Sequence, residues 1–148
     1  MTLDYVCINL IKEFEGFRSR AYLCPSGVPT IGWGHTKGVQ LGMVCTESEA
    51  DGWLLEDLAY SAKAVRHAVK VPVTSSQFSA LVSFVFNVGV TSFLSSTLLK
   101  LLNQSRYSLV PGQLKRWVYG KDPKTGAKVA LPGLVRRRER EAALWEQA

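Results

Sequence analysis

The chain has 148 residues, 47% of them hydrophobic and 20% charged, enough apolar content for one sizeable core and too much for a disordered tail. Eighteen Lys and Arg against twelve Asp and Glu leave a net charge of +6, which favours an anionic partner such as nucleic acid, an anionic membrane surface or bacterial cell-wall polymer. Three cysteines, an odd number with no CxxC pair, argue against a disulfide framework or a metal knuckle, and reduced thiols are expected.

The apolar positions Leu3, Val6, Cys7, Leu10, Ile11 and Phe14 share one broad face, predicting a first helix within residues 1–16 that stops at Gly16. Asp4 and Lys12 interrupt this stretch, which has neither a basic start nor a small-residue cleavage pattern. It does not read as a secretory signal, and cytoplasmic accumulation is expected. Residues 17–45 change character: aromatic and β-branched residues alternate with Pro25, Gly27, Pro29, Gly32, Gly34, Gly38 and Gly42, the pattern of short strands and tight turns. A small β lobe is expected there. Thr46 with Glu49 three residues on forms a capping-box pair that opens a connecting helix over residues 46–70.

Residues 71–99 carry no charge, yet Pro72, Gln77, Asn87, Gly89 and several serines and threonines argue against a membrane span. Thr74 and Gln77 form another capping-box pair, and Phe78, Leu81, Val82, Val85 and Phe86 mark one face of a helix that Gly89 ends. A further helix from about Thr91 would present Leu94, Leu98, Leu101 and Leu102. Residues 119–133, YGKDPKTGAKVALPG, read as an exposed loop or hairpin built on Asp122-Pro123 and Gly126. The last helix starts at Pro132 and turns Leu134, Val135, Ala142 and Trp145 inward, while Arg136, Arg137, Arg138 and Arg140 interleave with Glu139 and Glu141 on a mostly solvated face. His67 reads as a helix-surface residue. Residues 71–148 would form a helical lobe, completing a single domain over 1–148.

Glu15 closes the first helix, where the dipole disfavours its ionised form by about 0.3–1 kcal/mol. Burial in a cleft would act in the same direction, and a carboxyl that keeps its proton near neutral pH serves as a general acid. An exposed surface glutamate beside Glu13 is the plainer alternative on these residues alone.

The spacing Glu15, eight residues, Cys24, five residues, Thr30 resembles the catalytic signature of phage-type lysozymes, the endolysins of glycoside hydrolase family 24. The stretch from Asn9 to Val39, including TIGWGHTKGV, resembles that family almost throughout. QFSALVSFVFNVGVTSFLSSTLLKLLN (77–103) is similar to its central helices and LPGLVRRRERE (131–141) to its closing helix. The resemblance implies an α+β, predominantly helical, lysozyme-like fold, with a small N-terminal β lobe, a larger C-terminal helical lobe and the active site in the cleft between them. It implies hydrolysis of the β-1,4 bond between N-acetylmuramic acid and N-acetylglucosamine in peptidoglycan, with inversion, causing host cell lysis. Glu15 would protonate the leaving oxygen, and Cys24 and Thr30 would orient water on the opposite sugar face.

A thiol of ordinary pKa, about 8.5, is mostly neutral at pH 7 and a poorer base than a carboxylate. Three readings of Cys24 follow: a water-orienting group or partial thiolate, a packing residue, or a redox partner of Cys7 or Cys45. His35, in an element similar to the family's GxGH, is expected to be structural, bonding across the lobes. One of Arg136, Arg137 and Arg138 is expected to approach Glu15. Gln77, Phe86, Asn87 and Arg137 are candidates for the sugar cleft, with capping and packing equally good accounts of the first three. The resemblance implies no cofactor or metal. Its partner is bacterial peptidoglycan, reached from the host cytoplasm through a separate holin, with release to the periplasm at lysis; a monomer without stable membrane insertion or nucleic acid is expected. A lytic transglycosylase and a non-catalytic module for cell wall or nucleic acid are the alternatives, the latter weakened by the alternation of arginine with glutamate.

Overall fold

The structure, a computed structural model, describes residues 5–147; the expected helical position of Leu3 lies outside them. Helix α1 (Tyr5–Glu15) buries Cys7, Leu10 and Ile11. It stops where Gly16, at φ +68°, bonds its N–H to the Lys12 carbonyl at 3.0 Å. Strands β1 (Arg18–Leu23) and β2 (Pro29–Gly32) then form an antiparallel hairpin with Tyr22 opposite Thr30, and Val44 pairs with Arg20 outside it. Straight after β2, Ile31 and His35 exchange two backbone hydrogen bonds of 2.9 Å, doubling the chain back on itself.

Helix α2 (Glu47–Ala68) opens with both reciprocal bonds of the expected capping box: Glu49 N–H donates to Thr46 Oγ1 at 3.1 Å and Thr46 N–H to Glu49 Oε1 at 3.0 Å. The β lobe rests on this helix through polar contacts. Trp33 donates to Asp51 at 2.8 Å, and the same carboxylate pairs with Lys12 of α1 at 2.9 Å.

Helix α3 (Ser75–Val88) is capped by Thr74 and Gln77 in the same reciprocal way and ends at Gly89. Every residue from Phe78 to Val85 is buried, so the helix is enclosed nearly all round rather than along the single face its periodicity suggests. It packs against α1, α2 and the last helix, α7 (Pro132–Glu146), which accounts for the absence of charge from Phe78 to Val85.

The helix expected from Thr91 is two, α4 (Val90–Leu94) and α5 (Thr97–Asn103). Two serines break it by competing for backbone groups. Ser95 Oγ donates back to the Thr91 carbonyl at 3.2 Å, and Ser96 Oγ accepts from Leu99 N–H at 3.1 Å. Leu98 and Leu102 are buried as the period predicts, whereas Leu94 is exposed. A 3-10 turn (Tyr107–Leu109) and short α6 (Val110–Leu114) lead to the expected hairpin, β3 (Tyr119–Lys121) against β4 (Lys128–Ala130).

The arginine run of α7 corrects the sequence reading. Arg137, Arg138 and Glu141 are buried, at 3%, 0% and 0% exposure, and only Arg136, Glu139 and Arg140 stay outside. Arg138 donates to the Trp117 carbonyl at 3.0 Å, to Asn87 and to Glu141, and Ser83 Oγ donates to Glu141 Oε2 at 2.6 Å. Mutual pairing and hydrogen bonding make such burial tolerable. On the surface, Arg140 pairs with Glu13 of α1 at 2.9 Å. Among the described residues, no helix is long and apolar enough to cross a membrane.

A methyl group at Gly32, the last residue of β2, would stand 2.8 Å from the Ala50 Cβ of α2 at a backbone φ of +66°. Gly38, at φ +71°, has nothing within 4 Å of the same position. Chemical denaturation is therefore expected to show Gly32→Ala less stable by about 2–4 kcal/mol, left-handed strain plus overpacking, and Gly38→Ala by about 1–2 kcal/mol from strain alone.

Candidate active site

Glu15 and the β1–β2 hairpin face each other across a cleft of about 900 Å³. Glu15 belongs to the helical side through α1, whereas Cys24 and Thr30 come from the hairpin; all three line the cavity, as do Phe86, Asn87 and His35. A smaller cavity of about 580 Å³ adjoins on the far side of Glu15, walled by Arg136 and Arg137 of α7.

The Glu15 side chain is 22% exposed. Its carboxyl packs against Gly34, where a Cβ would stand 3.1 Å from the carboxyl carbon and 3.2–3.3 Å from the oxygens. Gly34 holds φ +80°, so this position needs glycine both for its backbone and for the space. Burial pushes the Glu15 pKa above the ordinary carboxyl range, while the Arg137 guanidinium, 3.7 Å away, pulls it down. Burial dominates, in the same sense as the position at the end of α1.

Cys24 starts the turn between β1 and β2. Its N–H donates to the Val28 carbonyl at 3.0 Å, and the Gly27 N–H donates back to the Cys24 carbonyl at 2.8 Å. Its Sγ lies 3.0 Å from Ser26 Oγ. The thiol pKa is lowered to about 7, chiefly by the Ser26 side-chain hydrogen bond and next by the Val28 backbone. The thiol is therefore more ionised at neutral pH than an ordinary cysteine, which is mostly protonated there. None of Cys7, Cys24 and Cys45 is joined in a disulfide. Cys24 is only partly buried at the cleft, so it is not a core packing residue. Thr30 is 4% exposed and donates from Oγ1 to the Val28 carbonyl at 2.9 Å.

His35 is 7% exposed; its Nδ1 lies 2.8 Å from Asp57 Oδ2 and its ring stacks on Trp53, both on α2. Both partners belong to α2, and Asp57, like His35, lines the cleft. Asn87 bonds Arg138 and reaches the cleft wall, and Phe86, half-buried, does so beside it. Gln77 is spent on the cap of α3 and does not line the cleft. His67 is exposed. Periodicity gave no sign of Ser26, Gly34 or Glu141. Ser26 was accessible as a hydroxyl two residues from Cys24 within a turn, and Gly34 as one of several glycines around a tryptophan and a histidine. Among the described residues no cluster of His, Cys, Asp and Glu has the makings of a metal site.

The sequence profile described as Phage lysozyme matches residues 12–141. An endolysin from Acyrthosiphon pisum secondary endosymbiont phage 1 is 42% identical over 139 residues, spanning 94% of this chain and 94% of that protein. The endolysin of Salmonella phage P22 is 38% identical over 144 residues, spanning 93% of each. Among solved structures, the muramidase domain of SpmX from Asticaccaulis excentricus matches with a TM-score of 0.89 at 35% identity, over 97% of both chains. A lysozyme-like α+β fold, a cleft holding Glu15, Cys24 and Thr30, and these relatives converge: the chain belongs to the phage lysozyme family and is a cell-wall-hydrolysing endolysin.

Proposed function

We propose that this glycosidase cleaves the β-1,4 bond between N-acetylmuramic acid and N-acetylglucosamine with Glu15 as general acid and with Cys24 and Thr30 directing water to the opposite face of the sugar. The supporting observation is the opposed tuning of the two ionisable groups on the cleft. Burial raises the Glu15 pKa and so favours its protonated form, and the Ser26 contact lowers that of Cys24 and so favours its thiolate. A bridging oxygen seated at Glu15 receives its proton as the glycosidic bond breaks, and a water held at Thr30 and Cys24 adds its oxygen to the anomeric carbon as its proton passes to the Cys24 thiolate, giving inversion. Phe86 and Asn87 would contact the sugars as walls of the cleft, whereas Arg137, expected there from the sequence, is buried behind Glu15 and walls only the adjoining cavity. Residues 1–148 act as one catalytic unit in this reading. Action as a monomer, synthesis in the host cytoplasm and access to the periplasm through a separate holin rest on the family resemblance.

Lysis of outer-membrane-permeabilised Gram-negative cells, followed by turbidity, is expected to fall by roughly 100-fold or more in Glu15→Gln. Wild-type digests should carry reducing sugar ends in mass spectra, and a 1,6-anhydro product would contradict water as the acceptor. Stability should change in the other direction. A carboxyl whose folded pKa is raised contributes stability below its unfolded pKa and loses it as pH rises through the folded value; glutamine loses nothing. Glu15→Gln should therefore melt above the wild type at pH 7, with the gap closing toward about pH 4.

Cys24→Asp is expected to retain substantial lysis, whereas Cys24→Ala should lose roughly 10-fold or more. The wild-type pH–rate profile should break near pH 7, where the thiol ionises, and Cys24→Asp should lack that break. Full activity in Cys24→Ala would remove the residue from the mechanism.

A further inference from the structure

The Arg137 guanidinium stands between two carboxylates on opposite sides. Glu15, at the cleft, lies 3.7 Å from Nη1, and Glu141, in the core, lies 3.5 Å from Nε. Neither distance is that of a close ion pair, and the buried Nε has no hydrogen-bond partner. Nη2 donates to the Ser83 carbonyl at 3.3 Å, and the Phe14 ring centre is 5.8 Å from Cζ. The unpartnered donor is the one that faces Glu141, so Arg137 is suspended between the two carboxylates without a close bond to either.

Glu141 is placed to hold it there. Its Oε1 is taken by Arg138 and its Oε2 accepts from Ser83 at 2.6 Å, two contacts that favour the carboxylate and pin it in place. The anion draws Arg137 inward yet is too fully engaged to close on it. Arg138, on the same side, repels Arg137, and Glu141 offsets that push. We propose that Glu141 is a positioning residue for the reaction: acting through Arg137, it holds the guanidinium back so that Glu15 never closes into a tight ion pair.

The proposal rests on the reading of Glu15 as the proton donor. A guanidinium bonded tightly to Glu15 would fix it as an anion and take away the proton the reaction needs. The other titratable groups on the cleft are Tyr22, Cys24, His35 and Lys37 from the β lobe and Glu56, Asp57 and Tyr60 from α2. Glu13 and Arg136 wall the adjoining cavity, and α3 contributes no charged side chain.

Carbon-13 NMR titration of the Glu15 carboxyl, assigned by its disappearance in Glu15→Gln, tests this alongside kcat on soluble peptidoglycan fragments. In Glu141→Gln, Arg138 repels Arg137 unopposed, and the Glu15 midpoint is expected to fall by about 0.5–1 pH unit with a roughly 3–10-fold lower kcat at pH 7. In Ser83→Ala, Glu141 Oε2 is freed to take Arg137 Nε, and the midpoint should rise. Shifts of opposite sign are not what loss of a merely structural contact produces. A folded Glu141→Gln with an unshifted or raised Glu15 midpoint overturns the proposal. Should Glu141→Gln fail to fold, Ser83→Ala decides: a rise supports the proposal, and an unchanged or lowered midpoint overturns it. Wild-type lysis by Glu15→Gln would instead defeat the acid assignment, and the titrations would still report whether Glu141 governs Arg137.

Discussion

At the end of α1 the Glu15 carboxyl lies so close to the Gly34 backbone that a single methyl group there would stand 3.1 Å from its carbon. That approach sets terms for much of the fold. Residue 34 must be glycine in a left-handed conformation, and the hairpin carrying it must be held at a fixed distance from a helix of the opposite lobe. The paired backbone bonds of Ile31 and His35 shape the hairpin locally. Asp51 and Asp57 of α2 then anchor it, one through Trp33 and the other through His35, and Asp51 reaches Lys12 on α1 as well. The hairpin and the first helix are thus fixed to the same beam.

Two ionisable groups on this cleft are displaced toward one another by different physics. Glu15 moves up because protein has replaced water around it, and Cys24 moves down because hydrogen bonds in a partly exposed turn favour its anion. The Cys24 thiol gains anionic character from Ser26 without being buried. Behind the cleft, α3 has no charge of its own and packs against an α7 face of two arginines and a glutamate. Apolar periodicity cannot describe such a face, because the buried positions are occupied by polar groups that satisfy one another.

This is where sequence and structure part company. Signals set by short-range rules were legible: the capping boxes at Thr46 and Thr74, the stops at Gly16 and Gly89, and the hairpin at residues 119–130 all depend on a few neighbouring residues. Glu15, Cys24 and Thr30 were legible through family resemblance, and their common cleft follows from the fold. The burial of Arg137, Arg138 and Glu141 was hidden because a charged run on a helix ordinarily faces solvent, and the contacts that reverse this come from Asn87 and Trp117, 51 and 21 positions away from Arg138. The break between α4 and α5 was hidden for the opposite reason. Two serines redirected backbone bonds locally within a stretch whose leucine spacing still looked helical.

The pairings of α1 with α7 join residues far apart along the chain, Arg140 to Glu13 across 127 positions and Arg137 to Glu15 close by. Loops that long close late, since their entropy cost is met only when the intervening segments are already compact. During synthesis α1 leaves the ribosome before α7, and the Glu15 carboxyl waits for α7 before it acquires its final surroundings. A nascent fragment that lacks α7 therefore carries the acid without its working environment.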